Sequence, residues 1–217
     1  LIKAVIFDLD GVLVSTDELH YLAWKRLAEE LGIAAFTRAD NARQRGVSRM
    51  ASLEVVLEKT DRVFSDAEKL ALAEQKNGYY VNSLTSLTPA SLLPGARETM
   101  ERLRAEGIRT ALGSASKNAP AILERTSLTS LFDAIADGRD VTRSKPDPQV
   151  FLVAAQKLGL PPKDCMVVED ADAGVEAARA AGMTVLAVGD AAHNPRATHK
   201  AQNLADPGLD WNVLLRK

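Results

Sequence analysis

The hydrophobic pattern changes period along the chain. Residues 3–10 hold an unbroken apolar run, Ala4-Val5-Ile6-Phe7, that ends in carboxylates before Gly11. A continuous run of this kind predicts a parallel strand covered on both faces. From 17 to 31 the spacing becomes helical, with Leu19, Leu22, Ala23, Leu27 and Leu31 on one stripe and Gly32 as the stop. A second amphipathic segment covers about 49–59. A third opens at Ser65, with Glu68 placed for a capping box, and continues through the eighties. Residues from about 16 to 87 therefore predict only helices.

After Pro94-Gly95 strands and helices alternate. The pattern predicts a helix over 96–106, a strand over 109–112 and a helix from Asn118. It continues with a strand over 134–136, a helix over 148–158, a strand over 166–168, a helix over 174–181 and a strand over 184–188. A closing helix is expected over 209–215. Alternation at this spacing implies right-handed βαβ units and a parallel sheet. The first strand is cut off from its sheet by the helical block. The expected architecture is thus an α/β core made of residues 1–15 and 88–217, with a helical insert over 16–87.

Composition narrows the function. Hydrophobic residues make up 46% of the 217, enough for a real core. With 27 basic and 29 acidic residues, a net charge of −2 gives no reason to expect nucleic acid or an anionic membrane as partner. Any bound phosphate must be held by locally placed groups. The single cysteine, Cys165, excludes an intrachain disulfide and reads as a buried, inert thiol. That usage, the lack of a membrane-length apolar stretch and the lack of a leader pattern give the expectation of a cytoplasmic protein, monomeric by default.

The chemistry lies at the strand ends. Asp8 and Asp10 are two apart in the expected strand, so their side chains are expected to point to the same face. Glu169-Asp170 follow another strand. Parallel strands bring their carboxyl ends to one edge, so four carboxylates are expected to converge there. Such a cluster repels itself, and a hard divalent cation such as Mg²⁺ relieves it. Ser114-Ala115-Ser116-Lys117-Asn118 follows a strand and opens a helix, a good place for phosphate; a plain N-cap at Ser116 or Asn118 is the competing reading. Lys145, before Pro146, is placed to neutralise an aspartyl phosphate or merely to mark a turn.

Together these motifs resemble the haloacid dehalogenase (HAD) superfamily. They are Asp8-Leu9-Asp10-Gly11-Val12, Ser114, Lys145 with Pro146-Asp147-Pro148, and Glu169-Asp170 followed by Ala171-Asp172-Ala173-Gly174. The resemblance covers essentially the whole chain. It implies a Rossmann-like parallel-sheet core with an inserted α-helical cap. Asp10 favours phosphoryl transfer over carbon–halogen chemistry. Thr16, His20, Trp24, the loop Gly46-Val47-Ser48-Arg49, Ser52, Lys76-Asn77 and the 114–118 segment are similar to the β-phosphoglucomutase family within it.

The resemblance implies roles for these positions. Asp8 would be the nucleophile and Asp10 the general acid/base. Asp8, the Asp10 backbone carbonyl and Asp170 would bind Mg²⁺, with Glu169 close by. Ser114 and Lys145 would hold the transferring phosphoryl group. Arg49, Ser116, Lys117 and Asn118 would hold a distal phosphate. His20 and Lys76 would couple cap closure to Asp10, with Thr16 at the hinge. Trp24, Gly46, Val47, Ser48, Ser52 and Ala115 would line the site of a small phosphorylated sugar. Arg45 stands where relatives also carry lysine. Ala171 replaces a common serine, and Asp172 adds a carboxylate near the metal. A sugar-phosphate phosphatase and, further off, a non-catalytic sugar-phosphate sensor are the alternatives.

Overall fold

A computed structural model describes residues 1–216; Lys217, the last residue of the expected core segment, lies outside the described residues. In chain order the elements begin with β1 (Ala4–Phe7) and four helices, α1 (Asp17–Glu30), α2 (Arg38–Ala42), α3 (Arg49–Leu57) and α4 (Asp66–Ser83). Then come α5 (Ala96–Ala105), β2 (Arg109–Gly113), α6 (Ala119–Arg125), β3 (Ala134–Ala136) and α7 (Gln149–Leu158). The chain ends with β4 (Cys165–Glu169), α8 (Asp172–Ala180), β5 (Thr184–Val188), β6 (His199–Ala201) and α9 (Trp211–Leu214).

The six strands form one sheet in the order β3-β2-β1-β4-β5-β6, with every pair parallel. The pleat sends alternate residues of β1 to opposite faces. Val5 and Phe7 join a core with Met100, Leu103, Ile122, Trp211 and Leu214, whereas Ala4 and Ile6 join one with Phe151, Ala154, Val175 and Ala178. Helices thus cover both faces, which is why β1 reads as a continuous apolar run. Each large side chain sealed there is worth about 1.5–3 kcal/mol.

A third apolar cluster, including Tyr21, Trp24, Leu27, Phe36, Leu53, Val56 and Ala73, holds α1, α3 and α4 together, with Phe36 from the segment before α2. The chain leaves and re-enters the sheet side by side. Val14 bridges Leu92, and Leu93 N–H donates to the Leu13 carbonyl at 2.9 Å.

Several expectations need correction. The stripe on α1 is rotated: Leu22 is 51% exposed, while Tyr21, Ala23, Trp24, Leu27 and Ala28 are buried. The helix turns its aromatic side toward the insert's own core. The expected closing helix shortens to the single turn of α9. Both α2 and β6 went unpredicted. The first has a capping box built from Thr37 and Asp40, with aspartate in the usual glutamate place; the second is a short edge strand of His199-Lys200-Ala201. Ser65 and Glu68 do form the expected capping box. Cys165 is buried, and burial pushes its thiol up to about 11, so it is unreactive near neutrality. Among the described residues no helix is long and apolar enough to cross a membrane.

Candidate active site

The register of the sheet builds the first part of the site. Phe7 pairs with Leu112 on one side and Val168 on the other. The residues just beyond these partners therefore meet at one edge: Asp8, Ser114 and Glu169-Asp170. Asp8 N–H donates to the Val168 carbonyl at 3.0 Å, which fixes where its side chain starts.

Asp8, Glu169 and Asp170 offer carboxylate oxygens within 4.8 Å of one another. Lys145 Nζ lies beneath them, with no side-chain exposure, 2.6 Å from Asp8 Oδ1 and 2.7 Å from Glu169 Oε2. Burial alone would lower the lysine, but the two carboxylates hold it well above its usual range. Burial and mutual repulsion push the Glu169 and Asp170 carboxyls up. The other oxygen of Glu169 accepts from the backbone N–H groups of Asp170 and Ala171, both at 3.1 Å. Glu169 is therefore committed to the protein, while Asp8 and Asp170 face the cavity.

Two glycines make this crowding possible. A Cβ on Gly11 would sit 1.9 Å from Asp170 Oδ2, and one on Gly174 would sit 2.0 Å from the Glu169 carboxylate. Gly11 also has φ +83°, which disfavours any side chain.

The carboxylate of Asp10 does not join the other three. β1 ends at Phe7, so the pleat that would have aligned Asp8 with Asp10 has stopped. Asp10 instead accepts from both the backbone N–H and the hydroxyl of Thr16. Burial pushes its carboxyl up to about 6; the Thr16 bonds pull it down and Asp8 adds to the rise. Behind Thr16 lies Tyr80, whose hydroxyl donates to Thr16 Oγ1 at 3.1 Å. Its ring stacks on His20 with centroids 3.9 Å apart. His20 Nδ1 is 2.7 Å from Lys76 Nζ, which also lies over the Trp24 ring. Burial, then the charges of Lys76 and Arg49, hold His20 well below its ordinary value. A neutral His20 can accept from Lys76 through Nδ1.

Lys76 yields a prediction of its own. It is 3% exposed, and burial, followed by the Arg49 charge, pushes its ammonium down to about 7. The unfolded lysine titrates near ~10.4, so between these values unfolding takes up a proton and stability rises with pH. Urea melts of wild type should gain about 3 kcal/mol relative to Lys76→Met between pH ~7 and ~9.5. Parallel pH profiles would mean that Lys76 is charged throughout.

A second polar cluster lines the same cavity, which has a volume of about 760 Å³. Ser48 caps α3, accepting from Ala51 N–H at 3.3 Å, and so places Arg49 at the cavity wall. Ser116, Lys117 and Asn118 line the same cavity. Ser116 Oγ accepts from Asn118 N–H at 3.2 Å, and Asn118 has no side-chain capping bond. Asn118 Nδ2 donates to Asn77 Oδ1 at 2.9 Å, joining the insert to the core.

Of the expected site residues, Asp8, Asp10, His20, Trp24, Arg45, Gly46, Val47, Ser48, Arg49, Ser52, Lys76, Ser114, Ala115, Ser116, Lys117, Asn118 and Asp170 line this cavity. Three do not: Thr16 stands behind Asp10, and Lys145 and Glu169 are buried below Asp8. Arg45 reaches the cavity but bonds Asp17 and Asp190. Sequence reasoning missed Tyr80, Glu74, Asp17 and Asp190. Tyr80 lies one turn after Lys76, a spacing that places them on one face. Asp190 follows β5 at the same sheet edge as the carboxylate cluster, a rule applied only to the first and fourth strands.

The family model for haloacid dehalogenase-like hydrolases matches residues 2–182. The chain is 44% identical to β-phosphoglucomutase of Bacillus subtilis, over 86% of this chain and 83% of the relative. It is 33% identical to the phosphorylated carbohydrates phosphatase of Thermotoga maritima, over 83% of this chain and 82% of the relative. The crystal structure of β-phosphoglucomutase from Clostridium difficile superposes with a TM-score of 0.92 at 36% identity, covering 99% of this chain and 96% of that one.

Proposed function

Because the chain belongs to the haloacid dehalogenase-like hydrolase family, we propose that it is a phosphomutase that interconverts β-D-glucose 1-phosphate and glucose 6-phosphate through β-glucose 1,6-bisphosphate. One observation carries this reading: a single cavity is lined both by carboxylates, Asp8 with Asp170, and by a separate cationic and hydroxyl set, Arg49 with Ser116, Lys117 and Asn118. A bisphosphate has a group for each set. A simple hydrolase needs only the first.

In the proposed reaction Asp8 Oδ forms a bond to phosphorus as the sugar oxygen–phosphorus bond breaks. Asp10 gives its proton to the departing oxygen and later takes it from the hydroxyl that attacks the aspartyl phosphate. A carboxyl at about 6 can do both near neutrality. Lys145 and Ser114 would hold the phosphoryl oxygens, and Arg49, Ser116, Lys117 and Asn118 the distal phosphate. The bisphosphate then turns end for end before the second transfer.

Mg²⁺ fits the first cluster. Three crowded carboxylates share one buried ammonium, and all the donors are hard oxygens. Asp8, Asp170 and the Asp10 backbone carbonyl would hold it, Glu169 being already bonded. When bound, it supplies positive charge to the phosphoryl oxygens. In this reading residues 16–87 act as a cap that closes over the core and keeps water from the aspartyl phosphate.

Phosphorus NMR tests the reading. With Mg²⁺, β-glucose 1-phosphate and a trace of the bisphosphate, glucose 6-phosphate should build up without matching inorganic phosphate. Arg49→Ala should slow this by about 100-fold, since it removes a charge-assisted phosphate contact. Inorganic phosphate released as fast as substrate is lost would favour a phosphatase like the Thermotoga relative, with a site open to water.

A further inference from the structure

Arg45 and Arg49, two of the arginines that line the cavity, already carry carboxylate partners. Arg45 bonds both Asp17 and Asp190, and Asp17 is held in turn by Asn41 Nδ2 at 2.9 Å. Arg49 Nη1 lies 2.5 Å from Glu74 Oε1, on the neighbouring helix α4. The two pairings differ in how easily they come apart. Arg45 is held from two sides, one of them tied down. Arg49 is tucked into the wall at 20% side-chain exposure, while its single partner Glu74 is 71% exposed. If Glu74 is displaced, its carboxylate swings into water at little cost, and the guanidinium stays in the cavity.

We propose that Glu74 is an exchangeable stand-in for the distal phosphate, holding Arg49 in the empty site and yielding it to an incoming phosphate group. This rests on the reading that Arg49 binds phosphate. Two consequences follow. Arg49 is kept oriented between turnovers by a bond of the kind that it makes to the ligand. The affinity of the subsite is also set by a competition: a phosphate dianion offers more charge and more acceptor oxygens than a carboxylate, whereas a neutral sugar end leaves the Arg49–Glu74 pair intact. Glu74 thereby selects for a phosphorylated end and weakens its binding enough for the bisphosphate to turn over in the site.

Titration of the intact protein with inorganic phosphate tests this without reference to turnover. It is done with a chelator present, where the carboxylate cluster disfavours anions beside it, and is followed by the amide resonances of Arg49, Ser116 and Asn118. Glu74→Gln is expected to bind phosphate about three- to fivefold tighter than wild type. Arg49→Ala should bind it about tenfold more weakly, and in that background Glu74→Gln should change nothing. Tightening is the informative sign, because damage to the fold would weaken binding. Unchanged or weaker binding by Glu74→Gln, alongside a loss in Arg49→Ala, would overturn the exchange and leave the phosphate subsite standing. A gain that persists without Arg49 would assign the effect to net charge and overturn it too. If Arg49→Ala binds phosphate like wild type, the subsite itself falls, and the proposal with it.

Discussion

Asp8→Asn is expected to lower turnover by about 10⁴-fold or more while leaving the protein folded. The two side chains have the same shape, and the amide oxygen of the replacement can still accept from Lys145 Nζ, which lies 2.6 Å from the Asp8 oxygen. What changes is charge: a neutral amide is a poor nucleophile toward phosphorus. The substitution also removes one negative charge from a cluster in which Asp8 helps to push up both Glu169 and Asp170. That relief is set against the counter-charge that Lys145 loses, and Lys145 keeps Glu169 at 2.7 Å, so in chelated buffer the variant should stay folded with a loss of no more than about 1–2 kcal/mol. Loss of activity far beyond any loss of stability separates a nucleophile from a structural acid. Mass spectrometry of wild type treated with an acyl phosphate and Mg²⁺ should find the added phosphoryl group on the peptide holding Asp8, and none on the variant. Turnover within about tenfold of wild type would remove Asp8 from the nucleophile's role.

The carboxylate edge was legible in the sequence because it depends only on strand order and direction. Once β1 and β4 are adjacent parallel strands, Asp8 and Glu169 must be neighbours. The orientation of Asp10 was not legible. It depends on the strand stopping at Phe7, and period-two reasoning continues the pleat past that point. The distal cluster was a different problem. Nothing in spacing or periodicity tells that Arg49, on an inserted helix, shares a cavity with Asn118; that grouping came from the resemblance. The partners that tune these groups lay further out of reach. Glu74 is one of two exposed glutamates on α4, and Tyr80 reads as core until it is seen between Thr16 and His20. The short α2 and β6 carry too few apolar residues to produce a period at all.

Lys145→Met is expected to be the most destabilising single change in the site, costing about 3–5 kcal/mol in chelated buffer. Methionine fills a similar volume, so packing against Phe151, whose ring centre lies 4.7 Å from Nζ, is largely kept. Charge balance is not. In wild type the ammonium touches two carboxylates, and its side chain has no exposure with which to share the load with water. Without it, Asp8, Glu169 and Asp170 face one another with no cation among them, and Glu169 loses the partner of one oxygen while fully buried. Second-site rescue tells this account from simple loss of packing. Glu169→Gln removes one of the stranded charges and can still accept from the backbone N–H groups of Asp170 and Ala171. In the Lys145→Met background it should restore about 1–3 kcal/mol, whereas in wild type it should cost stability, because Lys145 then loses a counter-charge. Urea melts of the four proteins give the coupling directly. A Lys145→Met variant as stable as wild type, or a double variant no better than the single, would mean that the cluster is not held together by this lysine.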